Sequence, residues 1–267
     1  MAFGGRLESF FTIPASTTVT ATNATGGPTS VSLTAGSYSP TSYCAHLQAR
    51  LIAVRTGGTW TVTLSTGSAG TGLVTINCTD GAWALTFTTA AAGTVIGFVG
   101  NIASGSVAVT GTQNARGLWL PDCPLTLEGD PTRAPEVTDL RQSEGPTGTM
   151  FALVGTTKYR HRGLRWSHVA RARTWEGSAT TTYASWQQWF RDTQLGSGHT
   201  WFTPGSGFHV YWDNGGTDAL VGADLSSGAG PSGGWKLSGL NSIEPKRTDE
   251  SWLGYFSVEI PQIVCSG

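Results

Sequence analysis

Ser232 lies in a stretch with the spacing of a catalytic serine, Gly230-Pro-Ser-Gly-Gly234. In hydrolases of this pattern a buried strand precedes the serine and a helix follows it, so that the hydroxyl is exposed above an oxyanion hole. The neighbours of Ser232 are glycine, alanine and serine, which do not supply a buried apolar strand. We therefore expect a glycine-rich loop here and no hydrolase activity.

Two further stretches have the letters of ligand-binding loops. Gly67-Ser-Ala-Gly-Thr-Gly72 has the glycine spacing of a phosphate loop, but no lysine follows the last glycine to reach the phosphates. Asp213-Asn-Gly-Gly-Thr-Asp218 brings two carboxylates and an amide together, but it lacks the later glutamate of a calcium loop. Because Asn-Gly and Gly-Gly favour tight turns, we expect hairpin turns at both places, with calcium binding as the alternative at the second.

The histidines and cysteines do not predict a metal centre. The five histidines form neither an HxH nor an HExxH arrangement. Cys44, Cys78, Cys123 and Cys265 are far apart and form no CxxC pair, which zinc and redox sites need. We predict reduced and mostly buried thiols, and a protein without metal, cofactor or catalytic site.

A basic stretch is the candidate for an interaction surface. Lys158, Arg160 and Arg162 alternate with aromatic residues, which predicts a strand with a charged face, and Arg165 follows shortly after. We predict that these four residues lie at a subunit contact. The alternative is a solvated face, because five acidic residues precede the stretch and could pair with it: Glu128, Asp130, Glu136, Asp139 and Glu144. Nucleic acid is unfavoured, since phosphate recognition normally leaves a net basic domain.

The 11 tryptophans are the second sign of partners. Large rigid aromatic side chains provide much contact area at low entropic cost, and they are enriched in interfaces. The candidate aromatic contacts are Trp201, Trp212, Trp235 and Trp252. Each could anchor a neighbouring protomer, stack on a sugar ring if it is exposed, or belong to the core.

The composition predicts strands joined by tight turns. Only 12% of the residues are charged, whereas 37 are glycine, and helical proteins usually contain more charged helix formers. The net charge of −1 gives no field that favours nucleic acid or a membrane surface. No segment approaches the roughly 20 apolar residues that cross a bilayer, and no signal peptide is evident. We expect a protein that assembles in a cytoplasm.

One amphipathic helix is predicted in the first half. A serine and a proline offer a cap and a first helical residue, and apolar residues at three- and four-residue spacing indicate a helix over Pro40–Val54. Alternating strands follow it. We expect Leu47 and Leu51 to pack on a sheet formed by residues 60–64 and 83–87.

A second helix, at about residues 179–195, is predicted in the other half from its broad apolar face. The predicted fold is mainly β with two helices (α+β), in two β-rich domains that are each a sheet or sandwich with one packed helix. The N-terminal domain covers residues 1–110, a linker covers 111–128, and a C-terminal β-sandwich-like domain covers 129–267.

Residues 36–100 resemble a module of phage tail and fibre proteins. The resemblance is carried by the helix start Ser39-Pro40, the strand Gly72-Leu-Val-Thr-Ile76, and Ile96-Gly97-Phe98, where such modules tend to have Leu-Gly-Phe. It is a likeness of pattern and order, without a diagnostic signature.

Residues 150–262 look like phage tail proteins of the distal-tail or baseplate kind. In these an Arg-rich strand of the type Tyr159-Arg-His-Arg-Gly-Leu164 precedes a Trp-rich helix and a return strand of the type Gly196-Ser-Gly-His-Thr-Trp-Phe202. The chain departs from them in a Gly-rich insertion at about Ala219 to Gly234.

The resemblance implies a structural virion protein of a double-stranded DNA phage tail, with no active site and no cofactor. Such a protein acts as a ring, adaptor or baseplate component. Its expected partners are other copies of itself, in a homo-oligomeric ring, and other tail proteins, with a host-surface glycan as a further possible ligand. The alternative is a carbohydrate-binding or receptor-binding β-sandwich module.

Overall fold

The computed structural model describes residues 5–54, 58–66, 70–105, 107–121, 123, 125–127, 135–137, 141–144, 150–153, 157–174, 184–213, 218–220, 234–237, 245–247 and 255–266. In parts of several strands, residues 157–162 among them, it describes the backbone only.

The chain is rich in β-strand, as predicted. Its strands are β1 (Arg6–Ser9), β2 (Phe11–Ile13), β3 (Thr18–Asn23), β4 (Gly26–Ser32), β5 (Gly36–Tyr38), β6 (Trp60–Leu64), β7 (Val74–Cys78), β8 (Trp83–Thr86), β9 (Ile102–Gly105), β10 (Val109–Thr110), β11 (Leu118–Trp119), β12 (Leu125–Leu127), β13 (Pro135–Val137), β14 (Arg141–Glu144), β15 (Met150–Leu153), β16 (Thr157–Ala170), β17 (Phe208–Asp213), β18 (Asp218–Leu220), β19 (Lys236–Leu237), β20 (Lys246–Arg247) and β21 (Tyr255–Ser266).

The first helix, α1, covers Pro40–Val54 and confirms the predicted bounds. Ser39 caps it, because its Oγ atom accepts a hydrogen bond from the Ser42 backbone N–H over 3.3 Å. In return the Ser39 backbone N–H donates to the Ser42 Oγ atom over 2.8 Å. This reciprocal pair satisfies donors that the start of a helix leaves free. Leu47 and Leu51 are fully buried, as the apolar spacing predicts.

The other helices differ from the prediction. Helix α3 (Trp186–Thr193) is shorter than the predicted range of 179–195. It begins only at Trp186, because Ser185 has an extended backbone and accepts a hydrogen bond from the Gln188 backbone N–H over 3.3 Å. A third helix, α2 (Ala90–Thr94), has only five residues. Apolar periodicity cannot indicate so short an element.

The described strands form six sheets, and all pairings between them are antiparallel. Two four-stranded sheets have the orders β4-β3-β8-β9 and β11-β1-β17-β18, and a three-stranded sheet has the order β10-β7-β6. In the six-stranded sheet the order is β12-β16-β21-β19, with β13 on β16 and β20 on β21. Strands β2 and β5 form one pair, and β14 and β15 form another.

Strands β6 and β8 do not share a sheet, so the predicted packing of α1 on a common sheet is wrong. Strand β6 pairs with β7, whereas β8 pairs with β3 and β9. The chain between β7 and β8 is held at the β3–β4 turn, since the Oδ2 atom of Asp80 accepts hydrogen bonds from the Thr25 backbone N–H (3.0 Å) and hydroxyl (2.7 Å). Helix α1 lies against β6 and β4.

The buried apolar side chains form two large clusters, and each includes residues from the half of the sequence that mainly forms the other. The first cluster comes mainly from residues 11–115, but it also contains Trp201 and Phe202. The second comes mainly from residues 119–263, but it also contains Leu7. The predicted division into two domains stays a prediction.

The segment 111–128, predicted as a linker, contains packed structure. Strand β11 pairs with β1, and β12 pairs with β16. Trp119 is fully buried, and its ring makes edge-to-face contacts with Trp166 and Trp186 at centroid distances of 4.8 and 4.7 Å. Burial of three tryptophans in mutual contact is a large source of stability, which explains why this segment cannot act as a free connection.

Candidate functional site

The four predicted basic residues lie in one strand, β16, which is the longest of the described strands with 14 residues. Strand β21 pairs with it on one side. On the other side β13 pairs with Thr157 to Tyr159 and β12 pairs with Leu164 to Trp166. Residues 160–163 therefore have no partner on that side among the described strands.

Two of the basic positions face acidic ones within the chain. Lys158 is in register with Glu136, and Arg165 with Glu259. Directly opposed residues of opposite charge attract each other across antiparallel strands. The side chain of Arg165 is exposed, and that of Glu259 is half-buried. At these two positions the register favours the alternative interpretation, a solvated face whose basic residues pair with acidic residues of the same chain.

The other two basic positions have no acidic residue opposite them in the ladder with β21. Arg160 is in register with Val264, and Arg162 with Gln262. Together with the unpaired stretch 160–163 on the far side of β16, this makes Arg160 and Arg162 the stronger candidates for a contact with a neighbouring chain.

A two-stranded hairpin precedes this strand. Arg141 of β14 is in register with Leu153 of β15, and Glu144 with Met150. Among the described strands, neither β14 nor β15 pairs with a third one. Two-stranded hairpins are at best marginally stable on their own in water.

The predicted aromatic contacts divide into two groups. Trp201 and Trp235 are 7% and 1% exposed and belong to the first and second core cluster, respectively. Trp201 stacks on Phe11 at a centroid distance of 5.9 Å, so its ring already has a partner within the chain. A buried ring offers no face to a sugar or a subunit, and these two are core residues. Trp212 lies in β17 with only its backbone described, and Trp252 lies outside the described residues.

Glu8 is a buried carboxylate that sequence patterns do not single out. It lies in β1, is fully buried, and its Oε1 atom is 2.8 Å from the Nε atom of Arg6. It also binds the start of α1, where it accepts hydrogen bonds from the Thr41 hydroxyl (2.8 Å) and backbone N–H (3.3 Å). The partial positive charge of a helix N-terminus favours an anion here. Because β1 pairs with β11 and β17, this contact joins the sheet of the second cluster to the helix of the first.

Asp192 is a second buried acid, in the last turn of α3. Its side chain is fully buried, and the Nη1 atom of Arg116 is 3.6 Å from its Oδ1 atom. Burial raises the pKa of Asp192 to about 6, although the positive charges of Arg116 and Arg191 act in the opposite direction. The C-terminal end of a helix also disfavours a negative charge. The sequence around Asp192 does not indicate that this carboxyl is buried, because Arg116 lies far away along the chain.

His199 lies in the segment that follows α3. Its Nδ1 atom accepts the backbone N–H of Trp201 over 3.2 Å, so the neutral ring carries its proton on Nε2 and donates it to the Thr94 hydroxyl over 2.9 Å. Burial is the main cause that lowers the pKa of His199 to about 4, and the positive charge of Arg116 is the second cause. A ring that donates to Thr94 cannot take a proton from it, so these residues do not form a nucleophile and base pair.

A polar cleft lies beside the β2–β5 pair. It has a volume of about 350 Å³, and its lining includes an aromatic ring, four hydroxyls and one amine, those of Phe10, Thr12, Ser37, Thr203, Ser206 and Lys236. Hydroxyl-rich clefts of this size suit small polar ligands better than apolar ones.

The remaining predicted sites have the following places. Strands β6 and β7 pair antiparallel on either side of 67–72, and Asp213 is in register with Asp218 in the β17–β18 pair. Residues 67–69 and 214–217 of the two predicted turns lie outside the described residues. Cys44, Cys78 and Cys123 are buried, as predicted. The thiol of Cys265 and all of Ser232 lie outside the described residues. No group of three or more metal-binding side chains occurs in the part of the chain that the structure describes.

No helix among the described residues is long and apolar enough to span a membrane. Comparison with known proteins found no relative: no family model, no curated protein and no solved structure matches the chain. The resemblance to phage tail proteins therefore rests on the residue patterns alone.

Proposed function

We propose that the chain is a structural subunit that builds a larger assembly with itself and with other proteins. More specifically, we propose a ring, adaptor or baseplate component of the tail of a double-stranded DNA phage, assembled in the host cytoplasm. The assembly role is carried by the hairpin of β14 and β15. The assignment to a phage tail is carried by the residue patterns of both halves.

The hairpin supports the assembly role for an energetic reason. Two paired strands bury too little surface to be stable alone, and each leaves a row of unpaired backbone groups along its outer edge. A neighbouring chain can satisfy these groups by strand addition. Strand addition to the edge of a hairpin is a typical way in which one subunit binds the next.

The basic strand supports the same role. Arg160 and Arg162 occupy positions without an acidic residue opposite them on β21, and the stretch 160–163 has an open side among the described strands. Exposed ion pairs contribute only about 0 to 1 kcal/mol each. In this proposal the two arginines fix the register between subunits, and the strand contacts supply most of the binding energy.

The mass of the native particle tests the proposal. Light scattering and electron microscopy of the purified chain, alone and with tail proteins of the same virus, should show a particle of several copies. A chain that is folded by circular dichroism but stays monomeric in both preparations would contradict it.

A second candidate function, glycan binding, is favoured by the polar cleft between Phe10 and Lys236. An aromatic ring beside several hydroxyls and an amine can bind a sugar, in particular an acidic one. Binding of a host glycan by the wild-type chain, and its loss in Lys236→Ala, would support this candidate. Unaltered binding in Lys236→Ala would place the glycan elsewhere.

A further inference from the structure

Two sheets of the first cluster each have one closed edge. At one edge of the β10-β7-β6 sheet, β6 is covered by α1, and the Val62 backbone N–H donates to the Oε1 atom of Gln48 over 2.8 Å. A side chain of the helix thus satisfies a group that the strand would otherwise offer to another chain.

The β4-β3-β8-β9 sheet is closed at its β4 edge by two different means. Pro28 lies within β4 and has no backbone N–H to donate. The Nε atom of Arg50, on α1, donates to the Ser32 carbonyl oxygen over 2.8 Å. Proline and charged side chains are the usual protection of an edge strand against pairing with another chain.

At the opposite edges of both sheets the described residues include no covering helix, no proline and no charged side chain, although β9 is irregular in register with β8 between Ile102 and Gly105. These edge strands are β9 and β10, which are consecutive in the chain. Next to them lie Val99 and Val107, which are 68% and 67% exposed, the largest exposures among the large apolar side chains. Ala103, within β9, is also exposed.

The segment of chain that carries these open edges contains no charged residue. Between Asp80 and Arg116 the sequence contains no aspartate, glutamate, lysine or arginine, and from residue 9 to 115 it contains only Arg50, Arg55 and Asp80. A charged partner strand would lose its hydration here without finding an opposite charge. The edge therefore selects an uncharged strand.

The chain itself contains an uncharged strand whose outer edge has no partner among the described strands. Strand β15 (Met150–Leu153) consists of Met-Phe-Ala-Leu and has four residues, like β9 (Ile102–Gly105). Its hairpin partner β14 contains Arg141 and Glu144, so the two outer edges of the hairpin differ: one strand is charged and the other is not. The uncharged edge matches the open edge in length and in charge.

We propose that β15 of one copy adds to the open edge strand β9 of a second copy. This inference rests on the proposed function, because it names the contact by which the subunits assemble. Donor and acceptor lie at different places in the chain, so the contact is head-to-tail. Repeated head-to-tail contacts close into a ring or continue as a filament, depending on the rotation between neighbours.

A charge on the open edge tests the contact. Ala103→Lys should convert the assembly into monomers, because a lysine on an edge strand disfavours pairing with another strand and β15 offers it no opposite charge. The matched control is Ser30→Lys, which puts the same charge at an exposed position of the closed edge strand β4 and should leave the assembly intact. Both variants should melt like the wild type. Unchanged assembly of a folded Ala103→Lys chain would overturn the inference and leave the assembly role standing.

Disulfide trapping gives a second measurement that does not depend on the stability of the lysine variant. Ala103→Cys and Ala152→Cys are made in separate chains, and neighbouring strands bring such positions within the Cα distance that a disulfide needs. A cross-linked dimer should form in the mixture and not in either variant alone, with the wild type as control for its own cysteines. A dimer in the Ala103→Cys chain alone, or none in the mixture, would overturn the inference. A wild type that never assembles would overturn it together with the proposed function.

Discussion

The Thr41 hydroxyl donates a hydrogen bond to the Oε1 atom of Glu8 over 2.8 Å, and through this contact β1 holds the start of α1. The same carboxylate is paired with Arg6. The buried carboxylate of Glu8 thus contacts both a charged side chain of β1 and the start of α1. Its removal should therefore affect both clusters.

Glu8→Ala should lower the free energy of unfolding by about 3 to 5 kcal/mol, because it removes the carboxylate that balances the charge of the buried Arg6 and also removes a helix cap. Chemical denaturation measures the loss. Glu259→Ala is the control, since Glu259 is only half-buried and lies opposite the exposed Arg165; it should cost less than about 1 kcal/mol. Equal losses in the two variants would show that the Glu8 contacts are not formed.

Leu47→Ala should lower the free energy of unfolding by about 2 to 5 kcal/mol, because the side chain is fully buried in the first cluster and its removal leaves a cavity. Ile52→Ala in the same helix is the control, since Ile52 is 44% exposed and should lose much less. A loss below half a kcal/mol in Leu47→Ala would mean that α1 packs with another face.

Asp192→Asn should stabilise the chain by about 1 to 3 kcal/mol at pH 8 and leave its stability unchanged near pH 4. The pKa of Asp192 is raised to about 6 by burial, so the stability of the neutral carboxyl is fully present below about pH 4 and is lost as the pH rises through 6. Denaturation at several pH values measures this. A constant difference between variant and wild type at all pH values would contradict it.

His199 should give the opposite pH dependence. Its pKa is lowered to about 4, so its contribution is fully present above about pH 6.5 and is lost as the pH falls through 4. In the wild type the two groups oppose each other between pH 4 and 6. Asp192→Asn should therefore reveal a steeper acid loss, and a second change, His199→Gln, should flatten it. A profile unaltered by the second change would assign the acid loss to other groups.

Arg160→Glu with Arg162→Glu should impair assembly without a change in melting temperature, because the register places no acidic residue opposite either position on β21. Arg165→Glu is the comparison: it puts two glutamates opposite each other, so it should lower stability instead. Native mass and thermal melting of both variants separate the effects. Normal assembly of the double variant would assign this part of β16 to a solvated face.

Local signals in the sequence were sufficient for α1 and for the antiparallel pairs β6–β7 and β17–β18. Ser39, Pro40 and the apolar spacing fix the helix through contacts within a few residues. The two pairs follow from glycine and asparagine between alternating strands. The β-rich class follows from composition in the same way.

Contacts between distant residues could not be predicted. Nothing near Glu8 indicates that it caps a helix 33 residues later, and nothing near Asp80 indicates that it holds Thr25 and so separates β6 from β8. Trp201 and Trp235 show the same limit, since the sequence alone does not distinguish a tryptophan in the core from one that faces solvent. The burial and the partners of these side chains depend on which helices and strands pack together, and the periodicity of the sequence does not indicate this.

The central position of β1 has a consequence for synthesis on the ribosome. Its two partner strands, β11 and β17, lie about 110 and 200 residues further along the chain, and the first cluster also waits for Trp201 and Phe202. A nascent chain that stops before β17 leaves Leu7 and Glu8 with a paired strand on only one side. Long loops must close before these contacts form, which slows folding. The chain must therefore be synthesised at least through β17 before β1 has both of its partner strands.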